Sequence, residues 1–156
     1  MSRLQQSFVF FPIDVEKIIE LHSKISAATG YDLSKAAIVR LAIRLCSLDS
    51  ITLNRTALEA LEDDKRRGKQ FLEKPRMTRI SCMLTPDDLA RLETIKSVIT
   101  PVLQPMVKNT LLGRIALRLA PNSLIVVQHC REVFFDDLRR HRTERTRKRR
   151  KPSGQD

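Results

Sequence analysis

A chain of 156 residues, 42% of them hydrophobic, can bury one ordinary core, but 4% aromatics and no Trp point to aliphatic helical packing rather than a β-sandwich. The formal net charge of +11 favours a polyanionic partner, nucleic acid before an anionic membrane surface. No apolar run reaches the length of a membrane span, no secretory leader pattern opens the chain, and three scattered cysteines (Cys46, Cys82 and Cys130) suit a reducing compartment, so a soluble cytoplasmic protein with no membrane partner is expected.

The first predicted element is a short strand. Phe8 and Phe10 take its inner face, and Gln5, Ser7 and Val9 its outer face, the period of two of a half-buried strand. Pro12 and Asp14 then start a helix whose apolar stripe is Val15, Ile18, Leu21 and Ile25. Thr29-Gly30-Tyr31-Asp32 breaks it. A second helix follows, with Ala37, Ile38, Leu41, Ala42 and Leu45 on one stripe and Arg40 and Arg44 one turn apart on a neighbouring face. A linker of about 30 residues lies between Ser47 and Arg76; its middle, Ala57 to Gln70, has helical character and mixed charge and reads as a solvated connector.

The same series then recurs. With an offset of 74, the segment Ser7 to Cys46 aligns without a gap on Ser81 to Ala120. Nine pairs are identical: Ser7/Ser81, Pro12/Pro86, Asp14/Asp88, Ser23/Ser97, Ile25/Ile99, Arg40/Arg114, Ala42/Ala116, Arg44/Arg118 and Leu45/Leu119. The apolar pattern repeats as well. Ile80, Cys82 and Leu84 alternate with Arg79, Ser81 and Met83, and Thr85-Pro86-Asp87-Asp88 opens a helix with a hydroxyl cap, a first-turn Pro and carboxylates at the positive end of the dipole. That role accounts for Asp87 and Asp88 without catalysis. Leu89, Leu92, Ile95 and Ile99 form the stripe of this helix, the segment from Pro101 to Pro105 ends it, and Leu111, Leu112, Ile115, Ala116 and Leu119 form the next.

A unit of about 40 residues is too small to bury a core alone. Two units solve this together if their strands pair as one antiparallel ribbon and their helices close underneath. The expected fold is therefore mainly α with a two-stranded antiparallel ribbon, organised as a first unit over residues 5–48, a linker over 49–77, a second unit over 78–120, and a C-terminal helix and basic tail over 121–156. Between Arg139 and Lys151 the tail carries nine Lys or Arg against Glu144 alone, and so supplies most of the net charge. Ahead of it, Leu124 to Val127 and Val133-Phe134-Phe135 read as packing segments, with Phe134 and Phe135 alternatively a partner surface. Nothing in the chain suggests an enzyme. None of the four glycines lies in a phosphate loop, His22, His129 and His141 have no ligand spacing, and Tyr31 is the sole tyrosine. No cofactor and no metal are expected.

The order strand, helix, loop, helix resembles the ribbon-helix-helix family of Arc- and MetJ-type DNA-binding proteins. The segments that carry the resemblance are Ile80 to Leu89, Leu112 to Arg118 and Ile38 to Arg44, and it covers residues 5–48 and 78–120. Two copies in one chain are similar to the TraY-type relaxosome accessory proteins of conjugative plasmids and to the virulence proteins that bind beside T-DNA borders. The chain departs from the common pattern at Gln104-Pro105, where a Gly is usual, and at Val9 and Met83, where polar residues are common. The resemblance implies a tandem pseudo-dimer that binds double-stranded DNA, with the ribbon in the major groove and Gln5, Ser7, Val9, Arg79, Ser81 and Met83 at the base edges. It implies phosphate contacts at the start of each second helix, through Ser34 and Lys35 and through Lys108 and Asn109. The tail residues Arg142, Arg145, Arg147, Lys148, Arg149, Arg150 and Lys151 read as further phosphate contacts. The chain is then a monomer that can assemble further on DNA. Accessory work in DNA transfer, beside a relaxase or other DNA-processing protein, and transcriptional repression use the same binding physics. An RNA-binding basic protein is the other reading of the charge.

Overall fold

The computed structural model describes residues 4–70, 76–120 and 129–139. In chain order the elements are β1 (Leu4–Phe10), α1 (Pro12–Thr29), α2 (Lys35–Leu45), α3 (Ser50–Gln70), β2 (Thr78–Leu84), α4 (Pro86–Val98), α5 (Asn109–Leu119) and α6 (129–139), with one 3-10 turn, Gln104–Met106, between α4 and α5. The chain is mainly helical, with a single two-stranded sheet. The alternation read in each strand is what forms it. Phe8, Phe10, Ile80, Cys82 and Leu84 are all buried, and their row is one wall of the core.

β1 and β2 pair antiparallel within the chain, from Leu4 opposite Leu84 to Phe10 opposite Thr78. The centre of the ladder is Ser7 opposite Ser81, the one residue pair that the repeat also makes equivalent. The ladder thus has an approximate two-fold axis through that point. Beneath the sheet lie α2 and α5, which pack on each other, α2 against β2 and α5 against β1. Their central turns, Ala37 to Ile43 and Leu111 to Leu117, are buried on every side, so these helices are core rather than surface.

Local chemistry sets the ends of the elements. Thr85 caps α4: the Asp88 amide donates to its hydroxyl (3.2 Å), and the Thr85 amide donates to the Asp88 carboxylate (3.0 Å). In the first half Phe11 stands at the cap and offers no acceptor, so only the reverse bond forms, from the Phe11 amide to Asp14 (3.1 Å). Gly30 closes α1 in the left-handed region (φ 77°), its amide donating to the Ser26 carbonyl.

One reading from the sequence is overturned. The segment from Ala57 to Gln70 is no solvated connector. It belongs to α3, capped by Asp49, with Leu53, Ala57 and Ala60 fully buried and the Asn54 carboxamide accepting from the Thr100 amide (2.8 Å). Mixed charge hid an apolar stripe made mostly of alanine, a residue whose burial pattern carries little hydrophobic signal. Arg40 and Arg114, on the face that neighbours the apolar stripe, are 1% and 4% exposed. In the C-terminal helix Val133 is buried and Phe134 packs on Tyr31 (centroids 5.1 Å apart), whereas Phe135 is 41% exposed.

Candidate nucleic-acid interface

The outer face of the sheet is a patch of six side chains in three cross-strand rows. Gln5 faces Met83, Ser7 faces Ser81, and Val9 faces Arg79. Gln5, Arg79 and Ser81 are exposed; Ser7, Val9 and Met83 are half-buried. The two central hydroxyls lie 3.2 Å apart, within hydrogen-bond reach of each other. Antiparallel pairing therefore gathers all six residues singled out in the sequence, and it puts the long polar groups, Gln5 and Arg79, at opposite corners with an apolar neighbour beside each. The patch is asymmetric in chemistry although the backbone that carries it is nearly symmetric.

The starts of α2 and α5 differ. Ser34 caps α2 by accepting from the Ala37 amide (3.1 Å), and its hydroxyl donates to the Asp137 carboxylate of α6 (3.2 Å). Lys35 beside it is exposed. At the other start Lys108 is the cap residue and provides no side-chain cap; Lys108 and Asn109 are both exposed. One helix start thus already holds a carboxylate against its positive end, and the other holds a lysine. The predicted tail contacts Arg142, Arg145, Arg147, Lys148, Arg149, Arg150 and Lys151 lie outside the described residues.

Beneath the patch the halves are locked by two matched clusters of charge. Arg40 of α2 reaches Asp137 (2.8 Å), Asp136 (3.3 Å) and Asp88 (3.9 Å), and Arg44 donates to Asp88 (2.9 Å). Across the axis Arg114 of α5 donates to Asp14 (3.1 Å) and, through both terminal nitrogens, to Asp64 (3.0 and 2.9 Å), while Arg118 donates to Asp63 (3.0 Å). Every one of these bonds joins one half of the chain to the other. Asp63 and Asp64 end up as counterparts of Asp136 and Asp137, which the sequence reading did not see. The signal was present. With the offset shortened by one residue to 73, Glu59, Asp63, Asp64 and Arg66 of α3 match Glu132, Asp136, Asp137 and Arg139 of α6. A gap-free search at one offset passes over it.

These clusters are structural ion pairs. Burial pushes the Asp88 carboxyl up, but the Arg44 guanidinium and the Thr85 amide outweigh it and hold the group below its ordinary value of 3.8. A carboxyl depressed in the folded state adds stability that is present above its unfolded pKa and is lost as pH falls through the folded one. Stability of the wild type should therefore drop from about pH 4 downward more steeply than that of Asp88→Asn, in denaturant titrations across pH 2.5 to 7. Parallel curves would show that Asp88 is not held as a buried anion. The cysteines offer no chemistry of their own. All three are buried, and burial pushes the Cys46 thiol up to about 11.

No family model, curated protein or solved structure matches the chain. What it does rests on its own repeat, register and charge. Among the described residues no group of His, Cys, Asp and Glu side chains has a metal-holding arrangement, and no helix is long and apolar enough to cross a membrane.

Proposed function

We propose that the chain is a sequence-specific double-stranded DNA-binding protein, a tandem ribbon-helix-helix pseudo-dimer whose β1–β2 ribbon enters the major groove. The observation that carries this reading is the register centred on Ser7 and Ser81. It makes one outward patch from Gln5, Ser7, Val9, Arg79, Ser81 and Met83, on a two-stranded ribbon of the width the major groove admits, whose other face buries Phe8, Phe10, Ile80, Cys82 and Leu84. Arg79 pairs with the two acceptors of guanine, Gln5 with adenine, and Val9 and Met83 lie on thymine methyls. Because the corners differ, the site read is asymmetric, and one chain reads it without a second copy. The start of α5 contacts a flanking phosphate with Lys108 supplying charge, whereas at the start of α2, where Ser34 already donates to Asp137, the contact falls to Lys35 alone.

Arg79→Ala is expected to cost about 1–3 kcal/mol at the cognate duplex and to relax the choice of one base pair, with little change in fold stability. Binding to cognate and singly substituted duplexes at fixed salt measures it. Arg91 on α4 is unsuitable as a control, because its guanidinium donates to the Cys46 carbonyl at the end of α2. Arg55, exposed on α3, serves instead. Equal losses on every duplex would make Arg79 a phosphate contact, and no loss would mean that the ribbon does not read DNA.

A further inference from the structure

The outer patch of the ribbon is built from three pairs of two-fold mates. The offset of 74 relates Gln5 to Arg79, Ser7 to Ser81 and Val9 to Met83, while the register sets Gln5 beside Met83 and Arg79 beside Val9. Each end row thus holds one long polar side chain and one apolar neighbour. The end rows stand four residues apart on each strand, about 13 Å, which spans about four base-pair steps.

Most of what faces or supports a duplex here is the same when the ladder is turned about its axis. Ser7 and Ser81 are identical, and either hydroxyl is able to donate to the other across 3.2 Å. Val9 and Met83 are both apolar and half-buried, and both suit a thymine methyl. Lys35 and Lys108 suit phosphates, which are alike at every base pair and carry no sequence. Underneath, Arg40 with Arg44 on one side and Arg114 with Arg118 on the other each face three aspartates. Gln5 and Arg79 break the match. Both are exposed, but the Gln5 carboxamide offers donors and an acceptor, whereas the Arg79 guanidinium offers donors alone. In the major groove guanine presents two acceptors, and adenine a donor beside an acceptor, so Arg79 suits guanine and Gln5 adenine. Turned end for end on one duplex, Arg79 would meet the adenine amino group donor against donor, and the Gln5 carbonyl would meet an acceptor of guanine.

We infer that, given the DNA-binding reading on which this rests, Gln5 and Arg79 alone set the direction in which the chain lies on its site, and that the site is a palindrome broken at the one pair of base pairs they meet. Direction decides where each third helix is carried, because α6 adjoins the start of α2 through Asp137 and Ser34, and α3 packs on α5.

The test uses the full chain. Preferred duplexes are selected from a randomised pool, and affinities are then measured at fixed salt for wild type, Gln5→Arg, Arg79→Gln and the exchanged variant that carries both. Both positions are exposed, so denaturation midpoints should not move. Wild type should select guanine at one end and adenine at the mated position, within an otherwise palindromic site. Each single variant should lose about ten-fold on that duplex. Gln5→Arg should select the full palindrome with guanine at both ends, and Arg79→Gln the one with adenine at both. The exchanged variant should bind the wild-type duplex as wild type does, turned end for end. If it instead lost about a hundred-fold there, as two independent mismatches would, direction would be set elsewhere; the inference would be overturned and the DNA reading would stand. Unchanged site choice in the single variants would overturn it in the same way. If wild type selected no duplex from the pool, the DNA reading would fall and the inference with it.

Discussion

Arg40→Ala should destabilise the chain by about 3–5 kcal/mol, a large part of what a domain of this size holds in reserve. The side chain is 2% exposed and faces three carboxylates, of which Asp88 is itself buried. Its removal leaves those anions facing one another in a poorly solvated space, with Arg44 and the exposed Arg139 as the remaining close cations. Desolvation of the ions was costly when the fold formed, and the attraction that offset it disappears. Arg40→Lys should recover only part of the loss, because a single ammonium cannot span Asp88 and the Asp136–Asp137 pair as a planar fork does. Arg139→Ala is the comparison. It breaks an exposed pair to Asp136 and should change stability by less than about 1 kcal/mol. Urea denaturation of the three variants at neutral pH and fixed salt gives the numbers. An Arg40→Ala variant within about 1 kcal/mol of wild type would mean that its carboxylate partners are solvated or protonated rather than buried as anions.

Gly113→Val should be the most damaging small substitution in the helices, costing about 3 kcal/mol or more. Glycine inside a helix ordinarily costs about 1 kcal/mol relative to alanine, so a substitution there would be expected to help. Here a Cβ at Gly113 would lie 2.5 Å from Cδ1 and 2.9 Å from Cε1 of Phe8, closer than non-bonded carbons sit. The Phe8 ring is wholly buried between β1 and α5 and cannot swing away without opening the core. The other half solves the same space in the opposite way. Its strand residue is Cys82, its helix residue is Val39, and the Cys82 sulfur lies 3.7 Å from the Ala36 carbonyl one turn earlier. Large strand residue with small helix residue is exchanged for small with large. Combining Phe8→Cys with Gly113→Val should therefore recover at least about 1.5 kcal/mol of the summed single losses, read from a double-mutant cycle in urea. Additive losses would show that the two positions do not share one space.

The elements themselves were legible. A period of two in Phe8 and Phe10 or in Ile80, Cys82 and Leu84, and a period near 3.6 in the helices, are properties of neighbours along the chain, and the offset of 74 then implied that the strands meet in one ladder. The six outward residues followed from that alternation. The helical character of Ala57 to Gln70 was legible as well, but the burial of α3 was not, because Leu53, Ala57 and Ala60 make a thin apolar stripe among charges, and its match to α6 is displaced by one residue from the rest of the repeat.

The sequence by itself determined the strand and helix periods, the cap at Thr85 and the pairing of equivalent strands, since each depends on residues within a few positions of one another or on the repeat. The tertiary structure alone decided the state of Arg40 and Arg114 and the reason for Gly113. An arginine one turn from another on an amphipathic helix reads as solvated unless a second element covers it, and here the cover comes from α3 and α6, with the compensating carboxylates 50 or more positions away for Arg114 and 48 or more for Arg40. A glycine in a helix reads as a defect until Phe8, 105 positions earlier, is seen to occupy the space its side chain would need. Burial of a charge and exclusion of a methyl group are both set by what arrives from distant parts of the chain, and no local spacing encodes them.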